Sequence, residues 1–226
     1  MQDNALKTIA VLGGTGKEGS GLALRWAHKG HRVFLGSRSI DKAHEAARAM
    51  NDTLGTDRVS GAANPEAAAA SDIVVLAVPF AAQQSTAADA GEGLKGKILI
   101  DVTVPLVPPK VGRVQLPNGG SAVEALQLKL GPEVRVVSAF QNISSHHLTK
   151  LDDEVDCDVL VCADDPADAE TVVELAREIG LRAWNAGPLA NSVVSEGLTS
   201  VLITLNRRYK VPGSGIRITG VGAQSA

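Results

Sequence analysis

Apolar and polar residues alternate along this chain in two kinds of segment. Apolar residues recur at helical spacing in residues 20–29, 41–50 and 166–179. Between such segments lie short, mostly apolar runs, which are typical of strands buried on both faces of a parallel sheet. These runs occupy residues 8–12, 31–36, 59–62, 73–78, 97–102, 134–140, 158–163 and 181–185. The alternation predicts an α/β fold with a single doubly wound, mostly parallel sheet of roughly eight strands.

The first predicted strand runs directly into a glycine-rich turn. Gly14, Gly16 and Gly19 have the spacing Gly-x-Gly-x-x-Gly, and the helical segment that follows is closed by Gly30. In this order of strand, turn and helix, the glycines allow the turn, let backbone amides approach a pyrophosphate, and let the helix lie close to the strand. We interpret the segment as a dinucleotide-binding turn with the phosphates at the helix N-terminus, in preference to a merely tight turn.

The second predicted strand ends where dinucleotide enzymes meet the adenosine ribose. No acid stands there to accept a hydrogen bond from a free 2′-hydroxyl, as NAD would require. Ser37 supplies a hydroxyl, Arg38 a forked cation and Lys42 a point charge one helical turn later, a set that suits a 2′-phosphate. NADP(H) is therefore preferred over NAD, although Arg38 and Lys42 also fit the description of ordinary solvated cations at a helix start.

The loop after the clearest buried strand, residues 73–78, is expected to face the bound nucleotide. Pro79 and Phe80 begin this loop, and Gln84 lies one turn beyond Phe80 on the same predicted helix face. Phe80 either packs against the nicotinamide half or covers the domain surface. The proline-rich segment 103–120 is either a cover for a substrate or a surface connection.

Composition excludes several functional classes. The net charge is −3 and the aromatic residues are two Trp, one Tyr and three Phe, so the chain lacks the basic patches and stacking residues of a nucleic-acid binder. The longest apolar run is too short to span a membrane, and the N-terminus lacks a signal-peptide pattern. Cys157 and Cys162, and the adjacent His146 and His147, do not have metal-ligand spacing. We expect a cytoplasmic protein without a metal site, membrane contact or nucleic-acid partner.

Several separated motifs together resemble one family. They are Leu-Gly-Gly-Thr-Gly-x-x-Gly from residue 12, Gly-Ser-Arg at 36–38, Val-Pro-Phe at 78–80, Val-Val-Ser-Ala-Phe-Gln-Asn-Ile at 136–143, Cys-Asp-Val-Leu-Val-Cys-Ala-Asp-Asp at 157–165 and Ala-Gly-Pro-Leu-Ala-Asn-Ser at 186–192. Across nearly its whole length the chain resembles the NADPH-dependent reductases of coenzyme F420, an 8-hydroxy-5-deazaflavin, and the related reductase domain of the STEAP metalloreductases.

The resemblance implies specific roles for residues along the chain. It implies hydride transfer between NADPH and coenzyme F420, with the chemistry in the two ring systems and no catalytic side chain. On the nucleotide, it implies that the pyrophosphate is lined by Thr15, Gly16, Lys17 and Glu18, and that the 2′-phosphate is bound by Ser37, Arg38 and Lys42. At the rings, it implies that the nicotinamide side is approached by Phe80, Gln84 and Ser145, and that the deazaflavin is bordered by Val104, Ile143 and Ser214.

Two other functions remain open from the sequence. Gln141 and Val193 stand where archaeal members of the family have histidine and arginine, so an NADPH-dependent reductase of FMN or FAD is the first alternative. A non-catalytic NADPH-sensing module is the second.

The chain is expected to have two parts. Residues 1–186 form the Rossmann-type NADP-binding domain, and residues 187–226 form a small C-terminal extension with a long helix and a glycine-rich tail that complete the cleft. The apolar stripe of that helix lies at residues Val194, Leu198, Val201, Leu202 and Leu205. This stripe favours a homodimer. The tail, residues 211–221, either pairs with the partner chain or folds over the site.

Overall fold

The protein folds as alternating strands and helices around a parallel sheet, as a computed structural model of residues 5–151 and 154–221 shows. The strands are β1 (Thr8–Leu12), β2 (Arg32–Ser37), β3 (Val59–Ala63), β4 (Ile73–Leu76), β5 (Ile98–Asp101), β6 (Arg135–Ser138), β7 (Asp158–Val161) and β8 (Arg182–Asn185). The helices are α1 (Lys17–His28), α2 (Ile40–Leu54), α3 (Asn64–Ala69), α4 (Gln83–Ala90), α5 (Ala122–Leu130), α6 (Ser145–Leu148), α7 (Pro166–Glu178) and α8 (Ser192–Tyr209).

The main sheet has the strand order β3-β2-β1-β4-β5-β6, with every neighbouring pair parallel. The order reverses between β1 and β4, so the loops at the carboxyl ends of these two strands enclose a crevice there. Alternate residues of each strand contribute to the two hydrophobic layers. Ile9 and Val75 face the layer under α1, α2 and α7, whereas Leu12 and Leu76 face the layer under α3, α4 and α5.

The prediction of an α/β fold with a mostly parallel sheet is confirmed, but the eight strands do not form a single sheet. Strands β7 and β8 pair with each other in a separate parallel sheet. The two sheets meet at one antiparallel bridge, in which Ser138 and Cys162 exchange both backbone hydrogen bonds at 2.9 Å. The pairing does not continue because β6 ends at Ser138 and the backbone soon turns at Phe140, whose φ is 72°.

A buried arginine fixes the first helix to the segment that follows β6. The Arg25 guanidinium donates hydrogen bonds to the carbonyls of Leu148 (3.0 Å), Ile179 (3.0 Å) and Lys150 (2.6 Å). At the next residue of α1, the Trp26 ring packs against the Phe140 ring edge to face, with the ring centroids 5.9 Å apart. These contacts hold α6 and the strand end before it against α1, which places both near the glycine-rich turn.

The C-terminal segment packs onto the rest of the chain. The tail lies beside β7, where Asp158 N–H donates to the carbonyl of Ile216 and Ile218 N–H donates to the Asp158 carboxylate, both at 2.8 Å. The tail thus folds against β7 of its own chain, and its expected pairing with a partner chain stays a prediction. Among the described residues, no helix combines the length and apolar character needed to cross a membrane.

Candidate active site

Close packing explains the glycines of the turn between β1 and α1. A Cβ atom at Gly14 would lie 2.8 Å from the carbonyl oxygen of Val11 and 2.9 Å from Leu35 Cδ2. At Gly19 it would lie 2.9 Å from the carbonyl oxygen of Gly13. Gly13 adopts a φ of 81°, so the positive φ of this turn lies one residue before the Gly14 of the fingerprint. The turn therefore exposes the backbone of Thr15, Gly16 and Lys17 at the N-terminus of α1.

A small pocket of about 200 Å³ lies beside this turn. Thr15 and Gly16 line one side, and Ser37 and Arg38, at the end of β2, line the other. Asn64 at the start of α3 completes it, and its buried Oδ1 has no hydrogen-bond partner among the described residues. The pocket thus combines hydrogen-bond donors suited to a phosphate, namely backbone amides at a helix N-terminus, a hydroxyl and a guanidinium, with one acceptor, the Asn64 amide oxygen, suited to a ribose hydroxyl.

A larger cavity of about 680 Å³, the main cleft, adjoins the small pocket. The two share Gly16, Ala77, Val78 and Pro79 as lining residues. The segments that follow β1, β4, β5 and β6 all contribute to the main cleft, together with α8 and the tail. Its other lining residues are Lys17, Glu18, Phe80, Ala81, Val102, Thr103, Val104, Leu106, Pro108, Val111, Gln141, Asn142, Ile143, Ser144, Ser145, Thr199, Leu202, Ile203, Asn206 and Ser214.

A buried polar cluster supports the cleft from below. The Asp101 carboxylate accepts hydrogen bonds from the Gln83 side-chain amide (2.6 Å) and from Thr103 N–H (2.9 Å). Burial raises the pKa of Asp101 to about 6, although the hydrogen bonds from Thr103 and Gln83 act in the opposite direction. The cluster joins the end of β5 to the start of α4, and so fixes the Thr103 segment of the cleft wall.

A second carboxylate attaches α8 to the loop before α5. Glu196 accepts hydrogen bonds from the backbone N–H groups of Ala122 (2.9 Å) and Val123 (3.2 Å) and from the Ser121 hydroxyl (2.7 Å). Burial raises the pKa of Glu196, and these hydrogen bonds partly offset the effect. The carboxylate at the N-terminus of α5 thereby holds α8 where its residues line the cleft.

The side of the cleft after β6 is polar but already engaged in hydrogen bonds. The Gln141 side-chain amide donates to the carbonyl of Asp101 and to the Ser138 hydroxyl, both at 2.8 Å. The Asn142 side-chain amide donates to the carbonyl of Asp158 at 2.7 Å. The side-chain oxygens of both residues are buried and without a hydrogen-bond partner among the described residues.

The tail completes the far wall. Ser214 N–H donates to the Asn206 side-chain oxygen at 2.7 Å, and the Ser214 hydroxyl donates to the carbonyl of Leu202 at 3.3 Å. The neighbouring carbonyl of Gly213 lies 3.2 Å from His147 Nε2. A Cβ atom at Gly213 would lie 2.6 Å from that nitrogen, so the tail approaches α6 at a distance that requires glycine.

Most of the residues predicted from the sequence come together here. Thr15, Gly16, Ser37, Arg38 and Pro79 line the small pocket, and Gly16, Lys17, Glu18, Pro79, Phe80, Val104, Ile143, Ser145 and Ser214 line the main cleft. Gly14 and Gly19 act through packing instead. Phe80 faces the cleft, and the first half of the segment 103–120 is part of the wall.

The structure does not bring Lys42 and Gln84 to either cavity. Lys42 is exposed on α2, outside the small pocket. Gln84 is exposed and accepts a hydrogen bond from Lys129 Nζ at 2.8 Å. A short 3₁₀ turn at Phe80–Ala82 precedes α4 and changes the helical phase, so Gln83 points inward in place of Gln84.

The sequence did not single out Asn64 as a pocket residue, nor Gln83, Glu196 and the α8 residues Thr199, Leu202, Ile203 and Asn206. Asn64 carried a signal as the polar residue that opens α3. Leu202 was expected on the apolar stripe of the last helix, but it is buried and lines the main cleft. The described residues contain no group of three or more His, Cys, Asp or Glu arranged to hold a metal ion. The two connected cavities instead fit an extended dinucleotide with a second ring system beside its nicotinamide end.

Comparison with known proteins identifies the family. Residues 8–105 match the family model described as NADP oxidoreductase coenzyme F420-dependent. The F420-dependent NADP reductase of Methanothermobacter thermautotrophicus is 43% identical over 223 residues, which cover 96% of each chain. The chain belongs to the F420-dependent NADP oxidoreductase family.

Other comparisons extend this relationship. A crystal structure of a putative F420-dependent NADP reductase from Arthrobacter sp. FB24 superimposes with a TM-score of 0.78 at 28% identity, covering 94% of this chain and 99% of that one. Rat metalloreductase STEAP3 is 28% identical over 90% of this chain but only 38% of its own length. The family assignment therefore rests on nearly the full chain, whereas the STEAP3 match is confined to part of a larger protein.

Proposed function

We propose that this protein transfers a hydride between NADPH and coenzyme F420. The observation that carries the proposal is the pair of connected cavities at the carboxyl ends of β1 and β4. One has the charge and amide donors for a nucleotide, and the other has room and apolar walls for two stacked rings. Membership of the F420-dependent NADP oxidoreductase family supports the same conclusion.

The small pocket would hold the adenosine half of NADPH. The backbone of Thr15, Gly16 and Lys17 at the α1 N-terminus would line the pyrophosphate. The Gly16 N–H already donates to the Gly13 carbonyl at 2.9 Å, so the amide donors would come from the residues beside it. Ser37 and Arg38 would bind the 2′-phosphate by charge-assisted hydrogen bonds. Lys42 remains exposed near this end as a weaker, longer-range cation.

The main cleft would hold the nicotinamide and the acceptor ring. Pro79, which also lines the small pocket, would face the nicotinamide together with Phe80 and Ser145, and Val104, Ile143 and Ser214 would border the acceptor ring. The chemistry needs only the C4 hydride of NADPH and the C5 position of the deazaflavin, with one proton taken up from solvent by a ring nitrogen. The protein contributes orientation and exclusion of water, so we assign no catalytic side chain.

The test is a spectroscopic assay with purified protein, NADPH and oxidised coenzyme F420, beside parallel reactions with FMN and FAD. Loss of the visible absorbance of the deazaflavin, at a rate well above that with either flavin, is the expected result. NADPH binding without reduction of any of the three acceptors would refute the proposal and favour the sensor function.

A second candidate, reduction of FMN or FAD, is favoured by one observation. Gln141 is neutral and its amide is already bonded to Asp101 and Ser138, so this position supplies no cation for the anionic side chain of the deazaflavin. The same assay separates the two acceptors, because faster reduction of a flavin would move the protein to this function.

We also propose the organisation expected from the sequence. Residues 1–186 would bind NADP(H), and residues 187–226 would complete the cleft and provide the surface of a homodimer. We place the protein in the cytoplasm, where its proposed nucleotide substrate is present, and fractionation of cells with an antibody to the protein would test this location.

A further inference from the structure

The Glu18 carboxyl group is an unused acid in the main cleft. It belongs to the first turn of α1, two residues after Gly16, and this residue lines the main cleft but not the small pocket. Its Oε1 atom is buried and has no hydrogen-bond partner among the described residues. The backbone of this turn is explained by pyrophosphate binding, but the side chain is not, because a carboxylate repels a phosphate.

In the proposed arrangement of NADP(H), Glu18 lies at the nicotinamide half. Thr15 lines the small pocket, and Lys17 and Glu18 line the main cleft, so the turn leads from the adenosine side to the ring side. The nicotinamide ring is the part of NADP(H) whose charge changes in the reaction, since the ring is cationic in NADP⁺ and neutral in NADPH. An ionised carboxylate in a partly dehydrated cleft distinguishes these two forms.

We propose that Glu18 sets the relative affinity of the protein for NADP⁺ and NADPH, by attracting the cationic ring when its carboxyl is ionised. This inference rests on the proposed function, because it requires NADP(H) in the cleft. The pyrophosphate and the 2′-phosphate are common to both nucleotides, so their effects largely cancel in the ratio of the two dissociation constants.

Burial raises the pKa of Glu18 to about 8, so the carboxyl changes charge at an accessible pH. Below this pKa the group is neutral and does not separate the two nucleotides. Above it, the carboxylate favours NADP⁺, and by reciprocity bound NADP⁺ lowers the pKa of Glu18. Binding of NADP⁺ near the pKa therefore releases protons, whereas binding of NADPH does not.

Other ionisable groups near the cleft are few. Among the described residues that line it, Lys17 is the remaining charged side chain, on the same turn as Glu18. Asp101 lies beneath Thr103 at the end of β5, and His147 of α6 contacts the tail at Gly213. Titration of these groups would change the dissociation constants of both nucleotides. Substitution of Glu18 alone therefore isolates the contribution of Glu18 to the pH dependence of their ratio.

The experiment measures the dissociation constants of NADP⁺ and NADPH by titration calorimetry between about pH 6 and about pH 9, for the wild type, Glu18→Gln and Glu45→Gln, an exposed acid on α2. In the wild type and the Glu45 control, the ratio Kd(NADPH)/Kd(NADP⁺) should rise about tenfold over this range, which corresponds to a one-unit change in the Glu18 pKa. In Glu18→Gln the ratio should stay constant.

An equal pH dependence in Glu18→Gln and wild type would overturn the inference while leaving the proposed function intact. Failure of both nucleotides to bind the wild type would overturn the proposed function itself. Calorimetry of the wild type near pH 8 in buffers of different ionisation enthalpy gives a test that needs no variant. It should show proton release on binding NADP⁺ but not NADPH, and identical proton release for both would also refute the role of Glu18.

Discussion

Arg38 carries the distinction between NADPH and NADH in the proposed site. Its guanidinium is the cation that lines the small pocket, and a charge-assisted hydrogen bond to a phosphate contributes roughly 1.5–3 kcal/mol. We therefore expect Arg38→Ala to raise the KM for NADPH by one to two orders of magnitude, with about the same KM for NADH.

Steady-state kinetics with both nucleotides measures this change. Arg48→Ala removes an exposed arginine from α2 and serves as the control for loss of one positive charge. If Arg38→Ala keeps the wild-type preference for NADPH, the 2′-phosphate lies elsewhere.

Asp101 makes the stability of the fold depend on pH. Its pKa is raised by burial from 3.8 to about 6, so between these values the folded chain holds a proton that the unfolded chain has released. The free energy of unfolding should therefore decrease as pH rises through this window, by up to about 1.4 kcal/mol per pH unit, and level off above it. In Asp101→Asn this contribution to the slope disappears, although loss of a carboxylate oxygen lowers stability at every pH.

Urea unfolding of the wild type and Asp101→Asn at several pH values isolates the effect as a difference of slopes. Asp158→Asn is a contrasting control. Burial alone would raise the pKa of Asp158, but hydrogen bonds from Ile218 N–H, Trp184 and Arg182 lower it. Its stabilising contribution is therefore lost only at the acidic end, as pH falls below about 4. Identical slopes for Asp101→Asn and wild type would contradict the assignment.

Individual residues differ in how far the sequence revealed them. Gly14, Ser37 and Arg38 could be placed because their roles follow from position within one strand–turn–helix unit. Asn64 and Glu196 could not, because their roles depend on chain segments that meet only after folding. Asn64 completes a pocket formed by the ends of β1, β2 and β4, and Glu196 binds the start of α5 some seventy residues earlier in the chain.

At the level of elements, the strands and the longer helices were predicted in their correct order because hydrophobic spacing is a local property, whereas the four-residue α6 was not predicted. The phase of α4 was not, since the 3₁₀ turn at Phe80–Ala82 follows from the path of the backbone and leaves no periodic signal. The separation of β7 and β8 from the main sheet was also missed. The two strands would be equally apolar in one sheet of eight strands or in two separate sheets. Only the backbone turn at Phe140 distinguishes the two arrangements.

The tail is the element whose contribution is easiest to isolate. A Cβ atom at Gly215 would lie 2.5 Å from Cys157 Cβ and 3.0 Å from the carbonyl oxygen of Asp156. Gly215→Val should therefore displace the tail and Ser214 from the cleft, and raise the KM for the hydride acceptor about tenfold or more. The Kd of NADPH should remain within about twofold of wild type, because no described residue of the tail lines the small pocket that would hold the adenosine half.

Acceptor kinetics and NADPH binding, measured on the same preparation, test this expectation. Gly220→Asn is the matched control, since Gly220 has open space around it and asparagine tolerates its positive φ. If Gly215→Val weakens acceptor binding and NADPH binding equally, the substitution unfolds the protein generally and does not act locally on the tail wall of the main cleft.

For the whole molecule, the exposed face of α8 supports the proposed homodimer. Val194 and Val201 lie seven residues apart on this face, with 59% and 46% of their surfaces exposed. We expect light scattering after size-exclusion chromatography to give twice the 23.3 kDa chain mass, and Val201→Lys to shift the protein toward the monomer. A wild-type mass of one chain at micromolar concentration would exclude the dimer.

The main cleft joins the beginning of the chain to its end, with Gly16 on one wall and Ser214 on another. This arrangement has a consequence for biosynthesis, because the N-terminus of a chain emerges from the ribosome first. The residues of the small pocket, all before residue 87, emerge while α8 is still to be translated. A nascent chain therefore carries every residue of the small pocket long before it has the α8 wall of the main cleft against which a hydride acceptor would rest.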